Sequence, residues 1–152
     1  MKKKIYLAGG WFTPEMEEEH TRLYNLIKDN YNVFNPKLES KIGQKNGNVE
    51  TFLGNINAIE DADIVLVITD RKDMGTIWEA GVAYQSKKPI IYYAETLGDR
   101  PFNLMLAMTG KVAKNENELL TLLNQDLKFE KVNNFEGKVE WLVIKNCLKF
   151  IN

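Results

Sequence analysis

The segment with the clearest potential for chemistry is Asp73–Tyr84, which places a single glutamate inside an apolar helical run. Glu79 lies between Trp78 and Ala80, where a charge on a surface helix gains little. A carboxylate held in an apolar cleft is a candidate nucleophile or general acid–base. The alternative is a solvated glutamate on the outer face of the helix, because most helical glutamates are exposed.

Two further carboxylates precede Glu79, in the loop that follows the apolar strand Ile64–Ile68. Asp70 and Asp73 together with Glu79 suit cleavage of an N-glycosidic bond, in which one group attacks the anomeric carbon and another protonates the leaving group. Gly75 permits a tight turn before the helix, whose first N–H groups favour an ionised Asp73. In the alternative, both aspartates are turn or cap residues.

The segment Gly9–Phe12 follows the first apolar strand and is a second candidate for ligand contact. Its glycines allow close approach to the backbone, and Trp11 and Phe12 are candidates for an aromatic wall against a planar ligand. The alternative is a tight turn whose aromatic rings simply pack. The segment matches neither the dinucleotide fingerprint nor a Walker A motif. Tyr6, on the preceding strand, either orients a carboxylate or is a core tyrosine.

Length and composition limit the function classes. A chain of 152 residues with 44% hydrophobic residues fits one domain with its own core. A formal net charge of -1 argues against binding to a nucleic acid polymer. Cys147 is the only cysteine, which favours a reducing compartment. Because His20 is the only histidine, a zinc cluster is excluded and we predict no metal site.

The sequence predicts neither a secretory signal nor a membrane span. The longest apolar run, Ile64–Ile68, is far shorter than a bilayer requires. We expect a cytoplasmic protein.

Strand and helix patterns alternate along the chain, which predicts a parallel α/β sheet. Strands are predicted at Lys4–Ala8, Tyr31–Phe34, Ile64–Ile68, Pro89–Tyr93 and Lys111–Ala113. Helices are predicted from Pro14, across Val49–Ile59, through the segment that contains Glu79, at Asn103–Met108 and from Asn115 to about Leu127. In the first helix, Glu15 and Glu17–Glu19 are expected to complement the helix dipole. Lys37–Asn48 is predicted to be a polar loop, and the tail over 135–152 suits a helix or a strand.

Ligands of such sheets bind at the carboxyl ends of the strands, near the point where strand order reverses. This rule predicts that Gly9, Asp70, Asp73 and the start of the Glu79 helix surround one crevice.

Four blocks of the sequence resemble, in the same order, the nucleoside 2-deoxyribosyltransferase family. They are Lys4–Phe12, Asn55 with Ile59–Asp63, Asp73–Tyr84 and Pro101–Met105. Each block alone is a weak signal, but the set is specific. The resemblance implies an α/β, flavodoxin-like three-layer sandwich with a five-stranded parallel sheet and flanking helices, in a single domain over residues 1–152.

The resemblance also implies a double-displacement reaction that moves 2-deoxyribose between nucleobases. Glu79 matches the catalytic glutamate, which attacks C1′ and forms a covalent deoxyribosyl-enzyme. Asp73 matches an acid that contacts the base, and Tyr6 matches a tyrosine that positions the nucleophile. Asn103 and Met105 match residues that a neighbouring subunit lends to the sugar pocket. The implied partners are 2′-deoxynucleosides, free nucleobases and further copies of the chain, from a dimer to a hexamer, with no cofactor.

The substrate-binding set is less closely specified. Asn55 stands where some members carry an aspartate, which leaves base preference open, and Gln44 is a loose match to a base-contacting glutamine. Gly9, Trp11, Phe12, Asp70 and Gly75 complete the predicted set. Glu140 is a candidate to supply a further carboxylate beside the site; alternatively, the tail caps the subunit.

Two other functions remain open. A hydrolase on the same scaffold would release the base of a deoxynucleoside or its 5′-monophosphate. The sequence has no dedicated phosphate loop, only Arg71, Lys72 and Arg100 nearby, which favours nucleosides. A catalytically silent ligand-binding domain is the third possibility, and the retained Glu79 and Asp73 argue against it.

Overall fold

The computed structural model describes residues 1–43 and 47–140, without the side chains of residues 40–43. Its strands and helices alternate along the chain. The elements are β1 (Lys4–Ala8), α1 (Pro14–Ile27), β2 (Asn32–Phe34), α2 (Pro36–Gly43), α3 (Asn48–Asp61), β3 (Ile64–Ile68), α4 (Met74–Gln85), β4 (Ile90–Tyr93), α5 (Leu104–Ala107), β5 (Lys111–Ala113) and α6 (Glu116–Asn124).

All five strands pair in parallel in one sheet, in the order β2-β1-β3-β4-β5. The central strand β3 is buried at every position, as its lack of alternation predicts. Leu23 and Leu119 of α1 and α6 pack on one face of the sheet. Ile59 and Ala80 of α3 and α4 pack on the other. The predicted α/β three-layer sandwich with a five-stranded parallel sheet is therefore confirmed.

The strand order reverses between β1 and β3, so the crevice of this fold lies at their carboxyl ends. Two loops leave the sheet there, one over residues 9–13 into α1 and one over residues 69–73 into α4. These loops carry the glycines and aspartates that the sequence predicted at a common crevice.

The prediction of a polar loop over Lys37–Asn48 is wrong. Helix α2 occupies Pro36–Gly43, and α3 already begins at Asn48. The helix forms because proline is tolerated in the first helical turn and Asn35 caps it. The Asn35 side chain accepts from the Lys37 backbone N–H at 3.0 Å. Gln44 lies outside the described residues.

The segment after α6 runs back across α5. Asn133 is buried and donates to the carbonyls of Ala107 and Gly110 at 2.9 and 2.6 Å. Val139 forms a parallel bridge with Phe102. Of the tail that the sequence left undecided, residues 141–152 lie outside the described residues.

Within the described part of the chain, no helix has the length and apolar character needed to cross a membrane.

Candidate active site

Glu79 and Tyr6 form the centre of the candidate site. The Tyr6 hydroxyl donates to Glu79 Oε1 at 2.7 Å, which joins α4 to β1. Tyr6 is fully buried, and its ring stacks on Phe34 of β2 with centroids 5.5 Å apart and planes 11° apart. Because backbone pairing and ring stacking both hold Tyr6, its hydroxyl is a fixed donor that sets the direction of the Glu79 carboxylate.

Burial controls the protonation of this pair. Desolvation raises the pKa of Glu79 from 4.5 to about 7, the Tyr6 hydrogen bond opposes that rise, and the charge of Asp73 adds to it. Burial raises the pKa of Tyr6, and the neighbouring Glu79 charge raises it further. Tyr6 therefore remains a proton donor in its hydrogen bond, while Glu79 changes charge near neutral pH.

Asp73 caps the helix that carries Glu79. Its Oδ2 accepts from the Thr76 backbone N–H and from Thr76 Oγ1, both at 2.8 Å, so the loop is anchored to the first turn of α4. A Cβ at Gly10 would lie 3.2 Å from the Asp73 Cβ, so Asp73 packs against the glycine turn after β1. Lys72, directly before it, has φ of 52°, the left-handed conformation in which a non-glycine residue is strained.

The turn at Gly9 and Gly10, after β1, is closely packed against neighbouring side chains. A Cβ at Gly9 would lie 2.7 Å from Ile68 Cδ1 and 3.0 Å from His20 Nδ1, so a larger residue there would require these side chains to shift. The rings of Trp11 and Phe12 stack at 5.3 Å. Trp11 also meets the buried His20 edge-on at 5.7 Å, whereas Phe12 is 72% exposed. Trp11 therefore packs, as the alternative interpretation has it, and contact of Phe12 with a ligand stays a prediction.

The predicted residues on the helical side of the site are spread over two elements. Asn55 is half-buried on α3, which packs against α4. Asn103 caps α5 by accepting from the Met105 and Leu106 backbone N–H groups at 3.0 and 3.3 Å. It also donates to Glu140 Oε2 at 3.3 Å, so Glu140 lies beside it. The Met105 side chain is 70% exposed.

Asp70 makes its described contacts in a different group of carboxylates. Its Oδ2 accepts from the Thr96 backbone N–H at 2.9 Å. One carboxylate oxygen from each of Glu19, Asp70 and Glu95 lies within 4.8 Å of the other two. The described carboxylates thus belong to two groups: Glu79 in the Tyr6–Glu79 pair, and an acidic cluster of Glu19, Asp70 and Glu95.

The sequence did not single out Phe34, which stacks on Tyr6, or Glu19, which belongs to the acidic cluster. Phe34 was assigned only to a strand, although its place at the end of β2 beside β1 indicates contact with Tyr6. Glu19 was counted among the acids that complement the dipole of α1, but it is 6% exposed. The usable signal was periodicity, because Glu19 lies four residues before the buried Leu23 on the same helical face.

Comparison with known proteins supplies the family. A sequence model of nucleoside 2-deoxyribosyltransferase matches residues 5–123, about four-fifths of the chain. The chain belongs to the nucleoside 2-deoxyribosyltransferase family. The family match contains Tyr6, Asp73, Glu79 and Asn103, and ends before Glu140. No curated protein matches the chain.

Solved structures show the same fold as this deoxyribosyltransferase family member. A 2-deoxyribosyltransferase from Bacillus psychrosaccharolyticus is 24% identical, with a TM-score of 0.61 over 79% of this chain and 95% of that one. A conserved protein from Enterococcus faecalis V583 is 17% identical, with a TM-score of 0.61 over 84% of this chain and 100% of that one. A CMP N-glycosidase from Clostridium botulinum is 18% identical, with a TM-score of 0.50 over 81% and 100%.

Proposed function

We propose that this protein transfers a 2-deoxyribosyl group from a 2′-deoxynucleoside to a second nucleobase. The observation that carries the proposal is the Tyr6–Glu79 pair, in which a partly buried carboxylate is held by a fixed donor. The pair lies at the sheet edge where this fold binds ligands. The family match over residues 5–123 spans both residues.

In the first step, Glu79 Oε2 attacks C1′ of the bound nucleoside. Tyr6 engages Oε1, which leaves Oε2 to form the new C1′–O bond. The N-glycosidic bond breaks with its electron pair going to the base nitrogen, and Asp73 in its protonated form donates the proton that the departing base takes up. The nearby carboxylate stabilises the positive charge that develops on the sugar ring.

In the second step, a nitrogen of the incoming base attacks C1′ of the glycosyl-enzyme. The C1′–O bond to Glu79 breaks, its electron pair returns to the carboxylate, and the incoming base gives its proton to the Asp73 carboxylate, which restores the acid of the first step. Splitting one displacement in this way replaces a difficult step with two easier ones. A substrate without a 2′-hydroxyl leaves room beside Glu79, so deoxyribosides are preferred.

The base and the sugar contact different parts of the site. The exposed ring of Phe12 is available to stack on the base, while Asn55 on α3 reads its edge. Met105 is exposed in the single chain, which supports the proposal that Asn103 and Met105 complete the sugar pocket of a neighbouring copy. Large apolar side chains exposed near the site, Met74 and Trp78 among them, also favour a homo-oligomer. Together with the lone Cys147, these substrates fit a cytoplasmic enzyme.

A hydrolase is the second candidate, because one structural relative is a CMP N-glycosidase. A 5′-monophosphate substrate needs a cation to meet its phosphate. Arg100 instead donates to the carbonyls of Leu97 and Thr96, and Arg71 Nε lies 3.5 Å from Glu19 Oε2. These contacts favour an uncharged 5′ end, and therefore nucleosides.

Incubation with deoxyinosine, with and without adenine, separates the two functions. Transfer predicts deoxyadenosine in the presence of adenine, with hypoxanthine release that depends on the acceptor, as followed by liquid chromatography. Hypoxanthine and free deoxyribose formed at the same rate without adenine, and no new nucleoside with it, would show hydrolysis instead.

A further inference from the structure

Three carboxylates converge on the side of the sheet edge that α1 covers. Glu19 comes from α1, Asp70 from the loop after β3, and Glu95 from the loop after β4. One oxygen of each lies within 4.8 Å of the other two. Three separate elements thus bring like charges together, although repulsion between them opposes this.

One member of the cluster has an unsatisfied oxygen. The Glu19 side chain is 6% exposed, and its Oε2 is buried without a hydrogen-bond partner. The Arg71 Nε at 3.5 Å lies too far for a good hydrogen bond. The ion pair with Arg71 at that distance compensates this oxygen only in part, because a buried carboxylate needs hydrogen bonds as well as a counter-charge.

We propose that Glu19, Asp70 and Glu95 bind a divalent cation of calcium size that prefers oxygen ligands. Two ligands of one ion are separated by at most twice the metal–oxygen distance, about 4.6–5.2 Å for Ca²⁺ and about 4.0–4.2 Å for Mg²⁺. The three oxygens lie within 4.8 Å of one another, which is compatible with the ligands of a single Ca²⁺. The prediction of no metal site considered clusters of cysteine and histidine, whereas carboxylates distant in sequence carry this one.

The neighbouring cations leave the cluster with a surplus of negative charge. Arg22 donates to Glu95 Oε2 at 2.6 Å and also pairs with Glu116. Arg71 is 44% exposed, so solvent screens its charge at Glu19. An opening of about 210 Å³, lined by Glu15, Glu18, Glu19, Arg22, Arg71, Glu95 and Thr96, connects the cluster to solvent. The thermodynamic consequence is that an ion bound there joins α1 to the loop that continues into Asp73, which stabilises the folded chain.

Calcium titration of the intact chain tests the site. After treatment with a chelator and its removal, CaCl2 or MgCl2 is added, and binding heat and melting temperature are measured. We expect a melting temperature that rises with CaCl2 concentration, as binding to the folded state alone requires, with a smaller rise for MgCl2. Glu19→Gln and Glu95→Gln should lose both the heat and the rise. Glu18→Gln removes one charge from the same opening but not from the cluster, and should keep both.

The proposal is overturned if the wild-type chain shows neither binding heat nor a calcium-dependent rise. It is equally overturned if Glu19→Gln and Glu18→Gln respond alike, because the effect is then general charge screening. Glu95 is the more exposed ligand, so Glu95→Gln gives a folded variant for the comparison if Glu19→Gln is unstable. The measurement does not depend on turnover, so its failure leaves the proposed transfer reaction untouched.

Discussion

The acidic cluster of Glu19, Asp70 and Glu95 and the Tyr6–Glu79 pair differ in how the protein holds a carboxylate that is largely removed from solvent. Glu79 receives a hydrogen bond of 2.7 Å from Tyr6, whereas Glu19 Oε2 is buried without one. Burial raises the pKa of both carboxyl groups. A hydrogen bond therefore fixes the direction of the Glu79 carboxylate, whereas Glu19 Oε2 has no hydrogen-bond donor and only the Arg71 ion pair at 3.5 Å.

This difference explains why one set suits covalent chemistry and the other suits an ion. A nucleophile needs one oxygen held and the other free toward the substrate, which the Tyr6 contact with Oε1 provides. An ion site needs oxygens from several elements that face one point, which Glu19, Asp70 and Glu95 provide. The predictions below sharpen or break this comparison.

Replacing Glu79 has the largest expected effect. Glu79→Gln removes the nucleophile, so kcat for base exchange should fall by at least about 10³-fold. An unchanged rate, measured by chromatography of the product nucleoside, would contradict the assignment.

The same variant should be more stable than the wild type at alkaline pH. Because the folded-state pKa of Glu79 is raised from 4.5 to about 7, the folded chain binds more protons than the unfolded chain between these values. Its stability therefore falls as pH rises through that window. Glu79→Gln should gain roughly 1–3 kcal/mol at pH 8, seen as a higher melting temperature than the wild type, and no gain at pH 4.

Asp73→Asn should produce a smaller loss and a shift in pH dependence. We expect about 10²-fold slower turnover because Asp73 assists the departing base. The negative charge of Asp73 raises the pKa of Glu79, so its removal should move the acidic limb of kcat/KM to lower pH. Asparagine can still cap α4, so circular dichroism should show an unchanged fold. A limb that stays in place would mean that the two carboxylates do not interact.

Tyr6→Phe should shift the same limb in the opposite direction. The Tyr6 hydrogen bond lowers the pKa of Glu79, so its loss raises that pKa and moves the acidic limb of kcat/KM to higher pH. The rate at pH 7 should fall by about 10- to 100-fold, the value of a hydrogen bond to a charged group. The phenylalanine ring can still stack on Phe34, so the variant removes only the hydroxyl. A loss of rate that is equal at every pH would mean that this hydroxyl does not set the pKa of Glu79.

Glu19→Gln is the matched control from the acidic cluster. Burial raises the pKa of the Glu19 carboxyl group, as it does that of Glu79. Glu19 is not part of the Tyr6–Glu79 pair. Without added divalent cation, we expect the acidic limb of kcat/KM to match the wild type. A shift as large as that of Asp73→Asn would show that the two sets are electrostatically coupled.

The sequence predicted most of the fold because local patterns were strong. The bounds of β1, β3 and β5 agree with the structure, and α4 and α6 lie where apolar spacing and caps placed them. The failure at Lys37–Asn48 has a local cause, since Asn35-Pro36 directly follows β2 and ends that strand. It also begins a helix, because Asn35 is fixed by His20 at 2.9 Å and then caps the backbone of Lys37.

The Tyr6–Glu79 contact was predictable and the acidic cluster was not. Glu79 and Tyr6 lie within motifs, and the parallel pairing of β1 with β3 places β1 in contact with α4, the helix that follows β3. The roles assigned to them, and to Asn55, Asn103 and Met105, stay predictions. Glu19 and Glu95 belong to no motif, and only the folded sheet edge brings them to Asp70. Grouping Asp70 with Asp73 from their proximity in sequence overlooked that a turn at Lys72 separates the two.

The most direct test of the account is to trap the glycosyl-enzyme. A 2′-deoxy-2′-fluoro nucleoside slows the second step, because the electron-withdrawing fluorine destabilises the positive charge at C1′. Intact-mass and peptide mass spectrometry after acid quenching should find one sugar attached to the peptide that contains Glu79, lost again when adenine is added. Turnover of deoxyinosine with the sugar attached to another residue would contradict the assignment of Glu79.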